Sequence, residues 1–186
     1  MSKLHFWEYP WPLDEQQCPC DVHFMRFLAG SGRQNQRIFH FGTGEHHLVG
    51  QEAGAQGHAV LGITASEAEY QAYMRLVVET PALGPNYKVI FGDIYQLNLR
   101  LLPQFDIVTL FHSGEFWSEN NAQFATIDDA GLINGMIDHL AAGGLILFYT
   151  GSFAYDVPKR LLTEIVVARG LVEQPGFETL RIFSKP

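Results

Sequence analysis

The chain has 186 residues, 47% of them hydrophobic and 17% charged, which suits one domain with a full core and excludes a disordered composition. Its net charge of −8 argues against an electrostatic grip on nucleic acid, which needs a clustered Lys/Arg surface. It has no run of about 20 apolar residues to span a bilayer, and residues 1–8 lack the apolar block of a signal peptide, so the expectation is a cytoplasmic protein that contacts neither nucleic acid nor membrane.

Residues 1–20 read as an arm. Phe6, Trp7, Tyr9 and Trp11 stand among Pro10, Pro12 and Pro19 with no clear period, which predicts an extended segment packed on the domain or closing over a substrate pocket. Cys18-Pro19-Cys20, followed by Asp21 and His23, falls short of the paired ligand sets of a structural zinc site, so ordinary thiols and no metal are expected. The domain proper is placed at residues 21–186. Val22, Met25, Leu28 and Ala29 keep helical spacing up to Gly30-Ser31-Gly32, and Ile38–Phe41 follows as a short apolar strand.

That strand runs into Gly42-Thr43-Gly44 and directly on into a helical pattern that reaches about Gly57. A strand–turn–helix of this kind aims backbone N–H groups and the positive end of a helix at a ligand. Gly50 and Gly54 suit close packing of that helix on a sheet. Ala59–Ile63 reads as a second buried strand ending at Thr64-Ala65-Ser66, and Ser66 with Glu69 has capping-box spacing ahead of the face Ala72, Tyr73, Leu76 and Val77. Tyr87–Phe91 is the third strand, followed by Gly92-Asp93-Ile94 and a helical stretch to about Leu102. The nearly continuous apolar run Phe105–Phe111 is the fourth.

Residues 112–127 are aperiodic and mark a long loop. A helix through Leu132, Ile133, Met136, Ile137 and Leu140 then leads by Gly143-Gly144 into a fifth strand, Leu145–Tyr149. Pro158 near its start and Gly170 at its end bound another helix. Leu171–Gln174 and Thr179–Ser184 flank Pro175-Gly176 as two antiparallel strands. Strand–helix alternation with short links predicts an α/β, doubly wound, mostly parallel sheet with helices on both faces and its ligand at the carboxyl ends of the strands.

With these elements in place, residues 21–184 resemble the class I S-adenosylmethionine-dependent methyltransferases. Gly42-Thr43-Gly44 matches their glycine turn, Thr64 their strand-end ribose position, and Gly92-Asp93 their Gly-Asp before the adenine. Phe105-Asp106-Ile107-Val108 matches their fourth strand, and Leu140 to Leu145 the Gly-Gly entry to their fifth. The resemblance implies a Rossmann-like sheet of about seven strands with a C-terminal antiparallel hairpin and S-adenosylmethionine as cofactor. It places cofactor contacts at His40, Gly42, Thr43, Gly44, Glu45, His46, Thr64, Ala65, Asp93 and Ile94. It also makes His112, just after the fourth strand, the candidate for a catalytic or substrate-orienting role. The sequence departs from the family's pattern at three positions. His40 stands where an acid precedes the first glycine, His46 where a third glycine follows, and Thr64 where an acid holds the ribose; a threonine hydroxyl cannot accept from both hydroxyls of a diol.

His40, His46, His47 and His112 all fall on one rim and could bind a metal or act as a general base, but with only Glu45 and Glu115 as acidic partners nearby the expectation is that one or two of them replace the lost acidic contacts. Phe116, Trp117 and Phe124 could line an acceptor site or form a homodimer contact. Three functions follow in order: methyl transfer to a small-molecule acceptor, a methyltransferase-fold binding or scaffold protein without catalysis, and a nicotinamide-dependent oxidoreductase. The last is disfavoured by the missing glycine at His47 and the missing strand-end acid.

Overall fold

The computed structural model describes residues 9–186, so Phe6 and Trp7 of the arm lie outside the described residues. Seven strands form one sheet in the order β3-β2-β1-β4-β5-β7-β6. These are β1 (Arg37–Phe41), β2 (Ala59–Thr64), β3 (Tyr87–Phe91), β4 (Phe105–Thr109), β5 (Leu140–Tyr149), β6 (Val172–Phe177) and β7 (Leu180–Ser184). The first five run parallel, and β7 pairs antiparallel with both β5 and β6. The sheet is therefore doubly wound and mostly parallel with an antiparallel hairpin at the C-terminus, as expected from the sequence. Among the described residues no helix is long and apolar enough to cross a membrane.

Alternate residues of each strand feed opposite faces, which divides the core in two. Ile38, Val60, Tyr87, Ile107 and Leu147 pack beneath α1 (Cys20–Gly30), α2 (Leu48–Ala55) and α3 (Glu67–Glu79). Phe39, Ile63, Val108, Ile146 and Phe148 pack against α5 (Asp129–Asp138) and α6 (Asp156–Arg169). A short helix, α4 (Glu119–Ala122), lies in the loop after β4. The glycines of α2 serve close approach: a Cβ at Gly50 would fall inside the Tyr87 ring, and one at Gly54 would meet Leu83 at 2.8 Å.

Several boundaries differ from the sequence expectation. The helix after β1 begins only at Leu48, because His47 is held in the left-handed region (φ 48°) and the chain turns through 43–47 first. The stretch expected as a helix to Leu102 is two single 3₁₀ turns, Ile94–Gln96 and Leu99–Leu101, each started by a side-chain cap from Asp93 or Asn98. Such short caps satisfy the local N–H groups without a full α-helix. Strand β5 starts at Leu140, with Phe105 N–H already bonded to His139 O. Pro175-Gly176 is a bulge in the edge strand β6, where a missing N–H costs no ladder bond, and the hairpin turns at Glu178-Thr179 instead.

Candidate functional site

At the carboxyl ends of β1 to β4, where the strand order reverses between β1 and β4, lies a cleft of about 250 Å³. One wall is the glycine turn. Gly42 (φ 86°) and Gly44 (φ 58°) adopt left-handed backbone that side chains disfavour. A Cβ at Gly42 would come within 3.0 Å of the His112 ring, and one at Gly44 would overlap the His46 ring. Thr43 between them is buried, and its hydroxyl oxygen has no hydrogen-bond partner among the described residues.

The end of β2 carries an acid that the strand itself lacks. Thr64 donates its hydroxyl to Glu69 Oε2 at 2.5 Å, and its oxygen accepts from Ser66 N–H at 3.0 Å. Glu69 sits in the first turn of α3 and is almost wholly buried. Of the capping box that the spacing of Ser66 and Glu69 predicts, half forms, with Ser66 Oγ accepting from Glu69 N–H. The glutamate instead turns back to Thr64 and to the arm, where Oε1 accepts from Trp11 N–H at 3.1 Å. Burial pushes the Glu69 carboxyl up against the opposing pull of these two bonds. A carboxylate thus reaches the strand-end position from one turn into the next helix.

A second acid replaces the one missing at His40. His40 is buried on β1, and its Nδ1 meets Thr109 Oγ1 of β4 at 2.8 Å. Since Thr109 donates to Phe39 O, its oxygen accepts from the imidazole. His40 Nε2 lies 3.6 Å from Asp21 Oδ2, and His46 Nε2 lies 3.8 Å from the same oxygen. Asp21 stands in the first turn of α1, where a carboxylate also favours the helix dipole. Burial works to raise its carboxyl, but His40, His46 and His112 around it hold the group below the usual carboxylate range.

The third wall joins the arm to the loop after β4. Cys18 and Cys20 Sγ are 3.4 Å apart, and Cys20 Sγ is 3.9 Å from His112 Nε2. On its other side His112 Nδ1 meets Glu115 Oε2 at 3.1 Å, and Ser152 donates to Glu115 Oε1 at 2.6 Å. The hydrogen bond from Cys20 outweighs burial and, with His112 nearby, brings the Cys18 thiol down to about 5. Burial alone would lower His112, but its bonds to Cys18 and Glu115 carry it up to about 10. Cys20 moves the other way, raised by its bond to Cys18 and by burial. These shifts favour a thiolate–imidazolium–carboxylate row.

Of the residues singled out in the sequence, Gly42, Gly44, His46, Thr64, Ala65, Asp93, Ile94 and His112 line the cleft. His40 and Thr43 lie buried behind that lining, and Glu45 is exposed with its N–H donated to Trp11 O. Asp93 also caps the following turn by accepting from Tyr95 N–H. His47 is not on the rim. Its Nε2 donates to Glu69 O and its Nδ1 accepts from Tyr87 O–H, so it is a neutral core histidine that burial lowers to about 4. Among the three loop aromatics only Phe116 lines the cleft, while Trp117 packs edge-on against Tyr95. Sequence reasoning does not reach Glu69 and Ser152 as site residues, and it takes Trp11 only as part of the arm, Cys18 and Asp21 only as an insufficient metal set, and Glu115 only as an acid near the histidines. The capping-box spacing was the one signal that pointed at Glu69.

The sequence matches no protein-family model and no curated protein. Its structure is similar to that of the N-methyltransferase NodS from Bradyrhizobium japonicum, crystallised with S-adenosyl-L-homocysteine. That match has a TM-score of 0.62 at 15% identity over 89% of this chain and 85% of the other. It is also similar to a precorrin-6y C5,15-methyltransferase from Geobacter metallireducens, with a TM-score of 0.64 and 12% identity over 95% and 94% of the two chains. The [4+2]-cyclase SpnF shares the fold as well, with a TM-score of 0.54 and 18% identity over 77% of this chain, which spans about half (49%) of that protein. The chain thus has the class I methyltransferase fold, a fold that carries more than one reaction.

Proposed function

We propose that the cleft binds S-adenosylmethionine and that the protein transfers a methyl group to a small-molecule acceptor. The observation that carries this reading is the pairing of Thr64 with Glu69, which returns a carboxylate to the position where the fold's ribose-binding acid is missing. The rest of the lining fits an adenosyl ligand. Gly42 and Gly44 add no side chain of their own to the turn that lines the cleft, and Asp93 and Ile94 stand where the resemblance puts the adenine. In this arrangement Glu69 would accept from the ribose hydroxyls, and Asp21 with His46 would meet the amino-acid end of the ligand.

S-adenosylmethionine, when bound, supplies an electrophilic methyl group. This chain's own part is to align an acceptor, to keep water out and to take up a proton. His112 cannot serve as the proton acceptor near neutral pH, because Glu115 and Cys18 keep it protonated up to about 10. Cys18, with its thiol down at about 5, is the available base, and His112 orients it. Trp11, Phe116 and Phe153 give the acceptor side aromatic walls, which favours a small acceptor with an apolar body. The similar structure NodS is named as an N-methyltransferase, consistent with a nucleophilic nitrogen as acceptor.

Calorimetric titration with S-adenosylmethionine and S-adenosylhomocysteine, with NADH as control, tests the reading. Micromolar binding of the adenosyl pair, about −8 kcal/mol, is expected. Failure of both to bind would leave a methyltransferase-fold binding protein.

A further inference from the structure

The cysteine pair of the arm and the histidine of the loop after β4 are far apart in sequence and meet at one corner of the cleft. One ligand atom from each of Cys18, Cys20 and His112 lies within 4.8 Å of the others. A tetrahedral cation with sulfur at about 2.3 Å and imidazole nitrogen at about 2.0–2.1 Å sets two sulfurs about 3.8 Å apart and sulfur from nitrogen about 3.6 Å apart. The observed separations are 3.4 Å between Cys18 and Cys20 Sγ, shorter than the sulfur–sulfur value, and 3.9 Å from Cys20 Sγ to His112 Nε2, longer than the sulfur–nitrogen value. Shifts of a few tenths of an ångström would close the centre.

The surroundings are also those of a ligating histidine. His112 presents Nε2 to the sulfurs, while Nδ1 meets Glu115 Oε2 at 3.1 Å and Ser152 fixes that carboxylate from behind. A carboxylate on the outer nitrogen fixes the tautomer and makes the inner nitrogen a better donor. The three donors are one short of a closed structural set, and all three residues line the cleft. We propose that Cys18, Cys20 and His112 bind one divalent cation of borderline softness, zinc by its donor set, with the fourth coordination position open to the cleft. Binding displaces the protons that Cys20 and the imidazole carry. On the methyltransferase reading, which this last step alone requires, the open position would hold an acceptor thiol or hydroxyl as its anion, with the proton released to solvent rather than to Cys18, which as a ligand no longer serves as a base.

The test uses the full chain, reduced and dialysed against chelator, titrated with Co²⁺ and then Zn²⁺. One equivalent of Co²⁺ should bring thiolate-to-metal charge-transfer absorption and the intense visible bands of a tetrahedral site, and Zn²⁺ should abolish both. His112→Gln should weaken binding on the order of 100-fold or more, and Glu115→Gln about 10–100-fold. His23→Gln should change nothing, because His23 is bonded to Thr179 and paired with Glu178 instead. Should the buried Cys20→Ser variant fail to fold, the histidine and glutamate variants still decide the matter. No stoichiometric binding, an octahedral spectrum, or equal affinity in wild type and His112→Gln would overturn the site. Titration of the same samples with S-adenosylhomocysteine separates this from the cofactor reading, since either can fail alone.

Discussion

Replacing Glu69 with glutamine tests the relocated acid directly. The carboxylate has two oxygens, one taking the Thr64 hydroxyl and the other the Trp11 N–H, and each keeps a further lone pair for a ligand in the cleft. Glutamine has a single acceptor oxygen. If it keeps Thr64, its amide nitrogen faces the Trp11 N–H donor to donor, and the charge that would meet a ribose diol is gone. Hydrogen bonds to a charged partner are worth about 1.5–3 kcal/mol each against about 0.5–1.5 for neutral ones. Two such bonds therefore lose about 2–3 kcal/mol, and the dissociation constant for S-adenosylhomocysteine should rise about 30–150-fold. Stability should move in the opposite sense. Burial raises the folded-state pKa of Glu69, so this group's contribution is fullest below its unfolded value and is lost as pH rises through the folded one. The buried charged form is thus a burden to the fold that glutamine removes. Titration calorimetry should show the affinity loss, and thermal melting should show an unchanged or higher midpoint. Unchanged affinity, or a loss matched by a fall in melting temperature, would refute the assignment. Thr64→Asp should improve binding only in the Glu69→Gln background, because on its own it sets two carboxylates against each other.

Gly42→Val and Gly44→Val should each abolish adenosyl binding by calorimetry, since both positions have left-handed backbone and their Cβ atoms would press on His112 or His46; retained affinity in both would move the ligand elsewhere. In the reduced, metal-stripped protein Cys18 should react with iodoacetamide along a pH profile with its midpoint near 5. The depressed Cys18 pKa contributes stability that is complete above the unfolded value of 9.0 and lost as pH falls through about 5. The raised His112 pKa contributes stability that is complete below 6.5 and lost as pH rises through about 10. His112→Gln should therefore shift the alkylation midpoint upward, and a midpoint near 9 in the unmutated chain would refute the pair. Asp129→Ala should destabilise the chain by about 2–4 kcal/mol in chemical denaturation, because Asp129 Oδ1 accepts from both Tyr95 O–H (2.8 Å) and Gly114 N–H (2.9 Å). A loss under about 1 kcal/mol would show that this anchor of the His112 loop is dispensable.

The sheet was legible because each parallel strand is a short apolar run bounded by glycine or by a polar cap, and both faces of Phe39 or Ile107 must be covered whichever helix covers them. Boundaries failed where side chains compete with the backbone. Asp93 and Asn98 cap single turns that a hydrophobic period cannot tell from a helix, and the left-handed His47 delays α2 by a turn. Pro175-Gly176 carries strong turn chemistry, yet an edge strand absorbs it as a bulge.

The site was half legible for a different reason. A motif records where along the chain a charge usually comes from, whereas a ligand responds only to where the charge is in space. Thr64 and His40 read as losses because the acids that serve them, Glu69 and Asp21, arrive from the first turns of α3 and α1. Each arrives with a cost that explains the neighbouring residues. The buried Glu69 carboxylate needs the Thr64 hydroxyl and the Trp11 N–H, so the strand end must carry a donor in place of an acid, and the arm must pass over it. The buried Asp21 carboxylate needs neighbours, and the His40 and His46 rings stand beside it where an acid and a glycine would repel it or leave it alone. On this view the departures at positions 40, 46 and 64 and the acids at 21 and 69 are two linked exchanges. Reverting His40 to an acid without removing Asp21 should therefore weaken the cleft's hold on a ligand.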